Sequence, residues 1–491
     1  MGIRRPWMRS SRVAACATAV VALLLTSCGA RLSPRQLAQA LGTNGGTGLN
    51  AGGQGSSGTG GVGPGGAGTA AASANGPLTG GAAGGATGAG GAAGGGGGGG
   101  GGAFALPPGG NGGATDIGVT GNAITLGNIS TLTGPVPGLF AGAVNGSDAF
   151  FAYQNSQGGV FGRQLKLAAS DDQFDCGQNK AQTQSDVPKV FAFVGSFSLF
   201  DNCGAQVISQ NPGLSDVHVA LSKDAQAEAN GFSPSPLRNG AATGPFQYVK
   251  GLHPDAVGSA GSLIGDVQSA KDAWVGEQAT MQSLGYHFSY QRVYEPTETD
   301  FTADIVQMKS KGVKLVVLIA ADVKGIARIQ QAAQQQNWHP AVWLLGASAY
   351  DSTYNPLVGS AGEGSLVYLP TAMYLGEDSG GIPEVGQFQT WMHRTHPNAN
   401  ADLFAAYGWS SARLFVQALQ AAGPRATRAS LQAALKNVHQ FNDNGFLAPG
   451  DPAGKGPPVC YLMVKVTGGH FTRVDDPPNA FRCDGSYFSA G

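Results

Sequence analysis

Two rhythms of apolar and polar positions alternate along the chain after residue 122. Short apolar runs, ITLGNI at 124–129, LKLAA at 165–169, VFAFVG at 190–195 and VHVAL at 217–221, are bounded by turn residues and predict strands. Between the first two lies a helical stretch with Phe140, Val144, Ala149 and Phe150 near one face, stopped by Gly158-Gly159. The Gly/Pro-rich segment 231–245 breaks the pattern. It then resumes with strand SLI at 262–264 and a helix over 270–284. A second helix, over 300–311, has Phe301, Ile305 and Met308 at helical spacing. VKLVVLIA at 313–320 is the strongest strand signal, followed by a helix over 323–336 and a strand over 341–345. A long helix over 402–422 carries Leu403, Phe404, Tyr407, Leu414 and Phe415 on one face, and another spans 427–438. Runs at 459–466 and 470–474 around Gly468-Gly469 predict a hairpin.

Alternating strands and helices imply parallel sheets covered on both faces, an α/β fold. Two such sets, split by a Gly/Pro break, imply two lobes. Ligands of such sheets bind beyond the carboxyl ends of the strands, so the expected site is a cleft between the lobes.

Composition adds a boundary. Glycine accounts for 80 of the 491 residues, and the stretch 42–115 is nearly half glycine. No charged residue occurs over 36–115. Such a stretch cannot bury enough apolar surface to offset its ordering entropy, so it reads as a tether with an r.m.s. span of roughly 45–50 Å. The expected organisation is a leader at 1–27, a tether at 28–115 and a folded body at 116–491. Within the body, one lobe takes about 116–242 and 371–445, the other about 243–370 and 446–491.

Six of the 29 basic residues precede the glycine-rich stretch and no acidic residue does, so the body holds 23 basic against 30 acidic side chains, a net of −7. A mildly acidic body without a basic run argues against nucleic acid as a partner. The apolar run 13–26, after four arginines, is too short to span a bilayer and suits a signal peptide. Its end, Leu25-Thr26-Ser27-Cys28-Gly29, resembles the bacterial lipoprotein cleavage box. That resemblance implies a lipid on Cys28 and anchoring to the outer face of the cell membrane; an ordinary leader with a chance cysteine is the alternative. Beyond Cys16 and Cys28, four cysteines remain in two local groups, and we expect the disulfides Cys176–Cys203 and Cys460–Cys483. A zinc site is the rival reading, but no CxxC is present and no histidine stands at ligand spacing.

Several motifs, in order, resemble branched-chain amino-acid-type ABC transporter substrate-binding proteins, of the type I periplasmic binding fold and the actinobacterial lipoprotein subgroup. They are Ile124-Thr125-Leu126-Gly127 with Leu132-Thr133-Gly134-Pro135, Gly158-Gly159-Val160-Phe161-Gly162-Arg163, and Asp171-Asp172. Phe193-Val194-Gly195, Thr299-Asp300-Phe301-Thr302 and Ala361-Gly362-Glu363-Gly364 follow. The resemblance implies capture of a small solute between two lobes, delivery to an ABC permease, a monomer and no cofactor. It places ligand contacts in the loop after the third strand, at Phe197 and Ser198, with Ser198 holding a carboxylate through a site rich in backbone N–H groups. The loop after the fourth strand offers Ser222 and Asp224, and Phe140 can pack on the solute. Leucine-binding members pair the ammonium group with a glutamate, but Ser348 stands near that position here. Asp322 and Asp266 are the candidate replacements, and Asp322 also suits a helix cap. The departure leaves a free amino acid and a small carboxylate, amide or aromatic compound both open.

An enzyme is not expected. Neither HExxH nor GxSxG occurs, and the adjacent acids Asp171 and Asp172 point to opposite faces of a strand. A ligand sensor on the same fold and a wall-associated structural protein are the alternatives to transport.

Overall fold

The computed structural model describes residues 105–319, 321–475 and 480–490. The expected leader, Cys28 and the glycine tract up to residue 104 lie outside the described residues. The first set of elements runs β1 (Ala123–Ser130), α1 (Ala141–Ser156), β2 (Gln164–Asp171), α2 (Cys176–Asp186), β3 (Phe193–Val194), α3 (Asp201–Ser209), β4 (Asp216–Val217), α4 (Lys223–Gln226) and β5 (Gly231–Phe232). The five strands form one parallel sheet in the order β2-β1-β3-β4-β5. Next come β6 (Gly240–Ala242), α5 (Gly244–Leu252), β7 (Ala260–Gly265), α6 (Gln268–Ser283), β8 (Phe288–Tyr294), α7 (Thr302–Ser310), β9 (Leu315–Leu318), α8 (Val323–Gln335), β10 (Val342–Leu345), α9 (Tyr354–Val358) and β11 (Leu366–Leu369). Helices α10 (Pro383–Thr395), α11 (Leu403–Ala422) and α12 (Arg428–Leu435) precede β12 (Leu462–Thr467), β13 (His470–Arg473) and β14 (Tyr487–Ser489).

The second sheet has seven strands, β13-β12-β11-β10-β9-β7-β8. Its five strands from β8 to β11 are parallel, and the β12–β13 hairpin adds to its edge antiparallel. Strand β14 returns to pair antiparallel with β6, at the crossing between the two sheets.

The alternation in β9 shows why this sheet is covered on both sides. Val316 and Leu318 face one apolar cluster, while Leu315 and Val317 face another. The first cluster runs without a break from Leu126, Phe150 and Trp409 around the first sheet to Val316, Leu345 and Val367 in the second. Helix α11 packs along α1 at glycines: an added Cβ on Gly146 would overlap the Ala405 carbonyl oxygen, and one on Gly408 that of Ala143.

Differences from the expected elements are mostly in length. The VFAFVG run is regular strand only at Phe193–Val194, although ladder bonds continue from the Phe191 N–H to the Thr125 carbonyl and from the Phe197 N–H to the Ile129 carbonyl. Gly195, at φ 69°, turns the chain out of the sheet there. The expected strand over 217–221 is likewise short, ending at Val217. The end of the glycine tract is docked on the body, because the buried guanidinium of Arg163 donates to the carbonyls of Asn111, Gly113, Thr120 and Pro424. Both expected disulfides are present: Cys176–Cys203 joins the starts of α2 and α3, and Cys460–Cys483 ties the entry of β12 to the arm that carries β14.

Candidate functional site

A cavity of about 340 Å³ lies where the carboxyl ends of strands from both sheets converge. The first sheet contributes Phe140 after β1, Phe197 and Leu199 after β3, and Val219 and Leu221 after β4. The second contributes Val267 after β7, Tyr294 at the end of β8, Ile319 and Ala321 after β9, and Ala347 after β10. Helix α11 lays Phe404 and Tyr407 along the floor. The cavity continues toward the crossing between the sheets, against Phe246, Tyr368, Tyr461 and Tyr487. Its volume suits a small organic molecule, and its walls are chiefly aromatic and aliphatic.

The aromatic end is tightly built. The Phe197 ring lies 4.8 Å from Phe140 and 4.9 Å from Phe404, centroid to centroid, and stacks with Tyr407 at 6.2 Å. Phe140 and Phe197 are both buried and both line the cavity. A ligand there meets ring faces and edges rather than charge.

The charged residues that line the cavity are Asp322, Glu277 and the exposed Arg238, whose guanidinium donates to the Gly454 carbonyl at 2.8 Å. Asp322 lines it but also caps α8, its Oδ1 accepting from the N–H groups of Lys324 and Gly325 at 3.0 Å each. Ser348 lines it with its hydroxyl donated to the Ala321 carbonyl at 2.8 Å. Burial, with the Asp322 charge second, pushes the Tyr294 phenol above its ordinary range. Burial does the same to Tyr407 and Tyr368, so all three remain neutral donors. Glu277, on α6, also lines the cavity.

The remaining residues singled out in the sequence face elsewhere. Ser198 is buried, donates its hydroxyl to Asp172 and accepts from the Phe200 N–H at 2.9 Å. It borders a separate void of about 30 Å³ inside the first sheet's half, with His218 and Glu228. Ser222 caps α4, accepting from the Ala225 N–H at 3.3 Å, and its own N–H donates to Asp201. Asp224 is exposed on α4. Asp266 is exposed and ion-paired with Lys271. The cavity thus brings together Phe140, Phe197, Asp322 and Ser348, and leaves Ser198, Ser222, Asp224 and Asp266 outside.

Sequence reasoning missed Glu277, Ser269, Phe404, Tyr407 and Tyr368 as lining residues. Phe404 and Tyr407 were legible only as the apolar face of a long helix. Glu277 carried a local signal: it is the one charged residue on a helical face otherwise made of Ser269, Ala270 and Ala273.

The adjacent acids serve structure. Asp171 accepts from the N–H groups of Leu132 and Thr133 at 2.9 and 3.1 Å, which holds the first turn. Those bonds, with the Thr133 hydroxyl, hold its carboxyl below the ordinary range although burial opposes them. Asp172 instead holds Ser198 and, at 3.1 Å, the Asn179 side chain. Among the described residues, no group of three or more His, Cys, Asp or Glu is placed to hold a metal ion.

No curated protein matches the chain. Solved structures do. A branched-chain amino acid ABC transporter from Thermus thermophilus with bound valine has a TM-score of 0.63 at 15% identity, covering 72% of this chain and 96% of that one. A possible leucine/isoleucine/valine-binding protein from Rhodopirellula baltica has a TM-score of 0.62 at 16% identity, covering 72% and 96%. A fatty acid ABC transporter substrate-binding protein from Thermomonospora curvata has a TM-score of 0.61 at 17% identity, covering 76% and 94%. At these identities the likeness is one of fold. A family model described as periplasmic binding protein matches residues 123–470, which takes in the first sheet, the second up to its edge strand β13, and most of the cavity lining. On that match the chain belongs to the periplasmic binding protein family, with the type I fold.

Proposed function

We propose that the chain is a membrane-anchored, extracytoplasmic receptor that captures an apolar or amphipathic small molecule between its lobes and delivers it to an ABC permease. The observation that carries this reading is the cavity at the carboxyl ends of both sheets, large enough for a small organic molecule and walled by Phe140, Phe197, Phe404 and Tyr407. Cys28 carries the anchor and the glycine-rich segment tethers the body. One lobe takes about 116–242 and 371–445, the other 243–370 and 446–491. Among the described residues no helix is long and apolar enough to cross a membrane; a lipid on Cys28 would supply the attachment. The receptor acts as a monomer without a cofactor.

The solute is a monocarboxylate with an apolar body rather than a free branched-chain amino acid. A serine, Ser348, stands where the leucine-binding pattern has its glutamate, and its hydroxyl is bonded to a backbone carbonyl. Among the described residues that line that end of the cavity, Asp322 is the carboxylate left to pair with an ammonium group, and it already caps a helix. The Thermomonospora curvata protein, described as a fatty acid transporter component, is the relative whose named ligand suits this lining.

Thermal-shift titration tests the reading. A solute at 100 times its Kd stabilises the native state by about 2.7 kcal/mol, which raises Tm by a few degrees. Medium-chain carboxylates are expected to do so and leucine is not. A shift with leucine alone moves the solute class back to amino acids, and silence across carboxylates, amides and amino acids removes the receptor reading.

A further inference from the structure

Helix α6 forms one wall of the cavity. Ser269, Ala270, Ala273 and Glu277 fall on one helical face, and all four line the cavity. The helix starts at the cavity without a side-chain cap, because its N-cap is Val267. First-turn N–H groups have no partner within a helix, so this end offers unsatisfied donors and the positive end of a dipole. A second observation points the same way. Ser269 is 4% exposed, and its Oγ has no hydrogen-bond partner among the described residues. The nearby Asp266 carboxylate is drawn outward to Lys271 and does not compete.

Two turns further on, about 12 Å along the axis, stands Glu277. Its Oε2 is sealed from solvent and has no partner among the described residues. Burial alone pushes its carboxyl up to about 8, so at neutral pH it is chiefly a protonated, neutral acid with an O–H to donate. The titratable groups that face it are the phenols of Tyr368 on β11 and Tyr487 on β14. Ala270 and Ala273, between the two polar stations, leave room for an apolar chain against Phe246.

We infer that α6 reads both ends of an elongated ligand: the helix N-terminus with Ser269 holds a carboxylate, and Glu277 takes a hydroxyl group at the far end. The inference rests on the receptor reading and narrows it to medium-chain carboxylates with a distal hydroxyl. A sealed carboxyl oxygen without a partner is costly, and a ligand hydroxyl satisfies it. A plain alkanoate leaves it unpaired, which is the basis of discrimination.

The test is calorimetric titration of the full chain, disulfides intact, with decanoate, ω-hydroxydecanoate and leucine. ω-Hydroxydecanoate is expected to bind about tenfold more tightly than decanoate. Glu277→Leu should abolish that preference, and Glu277→Gln, which keeps a donor, should retain most of it. Ser269→Ala should weaken both acids by about the same factor, roughly fivefold to tenfold. Equal wild-type binding of the two acids overturns the inference. So does a Glu277→Leu variant that keeps the preference, or a Ser269→Ala variant that binds both acids as wild type does. Binding of leucine alone also overturns it but leaves a receptor in place. No binding of any solute by a folded wild-type chain removes the receptor reading itself.

Discussion

His218 is buried inside the first sheet's half, 2.9 Å from an Asp216 oxygen. Burial opposes its charge, but Asp216 and then Glu228 outweigh that and raise the imidazole to about 9. Glu228 is held well above the carboxylate range, first by burial and then by Asp216. Both groups therefore bind protons more tightly in the folded state than in the unfolded one. For His218 the stabilisation is complete below the unfolded pKa of about 6.5 and is lost as pH rises toward about 9. The Glu228 contribution falls in the same direction. Tm is expected to drop by several degrees over that window. His218→Gln should be less stable near neutral pH and should show a shallower fall above it. A variant with the wild-type slope would show that the imidazole does not carry the proton.

At the scale of elements, two devices hold the frame around the cavity. The first is the glycine contact between α1 and α11. Alanine at Gly408 gains about 1 kcal/mol in helix propensity. Its Cβ would overlap the Ala143 carbonyl oxygen, however, and overpacking of this kind costs about 1–3 kcal/mol. The overlap is with backbone on a rigid helix, so the cost wins, and Gly408→Ala is expected to lower Tm by a few degrees. The second device is the Cys460–Cys483 disulfide, which closes a loop with a separation of 23 residues. Its removal should cost about 3 kcal/mol by loop-closure entropy. Cys460 lines the cavity and Cys483 leads into β14, which pairs with β6 at its rim. The paired Cys460→Ser, Cys483→Ser variant should therefore also weaken solute binding, whereas loss of Cys176–Cys203, away from the lining, should lower stability alone. Tm and solute affinity, measured on both double variants, separate the two.

For the whole molecule the decisive feature is continuity of the core. One apolar cluster passes from Phe150 and Trp409 through Phe140, Phe197 and Tyr407 to Leu318, Leu345 and Tyr350. Neither sheet can lose its packing without exposing the shared residues beside the cavity. Calorimetric unfolding of the disulfide-intact chain is expected to give one transition, raised by solute as a unit. Two transitions, only one of them moved by solute, would mean that the sheets unfold separately.

What the sequence determined by itself is local or combinatorial. Strand and helix order, the two sets of units and the terminal hairpin follow from periods of two and 3.6 residues, which neighbouring side chains impose on the backbone. The disulfide pairs follow from parity and local grouping in an exported chain. Orientation at the cleft was settled only in the tertiary structure. Ser198 sits on the expected loop, yet its hydroxyl turns inward because Asp172, 26 residues away, accepts it. Asp266 sits at the end of a strand, yet Lys271 holds it at the surface. Glu277 reads locally as the lone charge on a face of small residues, and it meets the cavity because the β6–β14 ribbon and β11 close around it. Loop side chains at strand ends have no period to obey. Their direction follows from contacts across the sheets, and those exist only once the chain has packed.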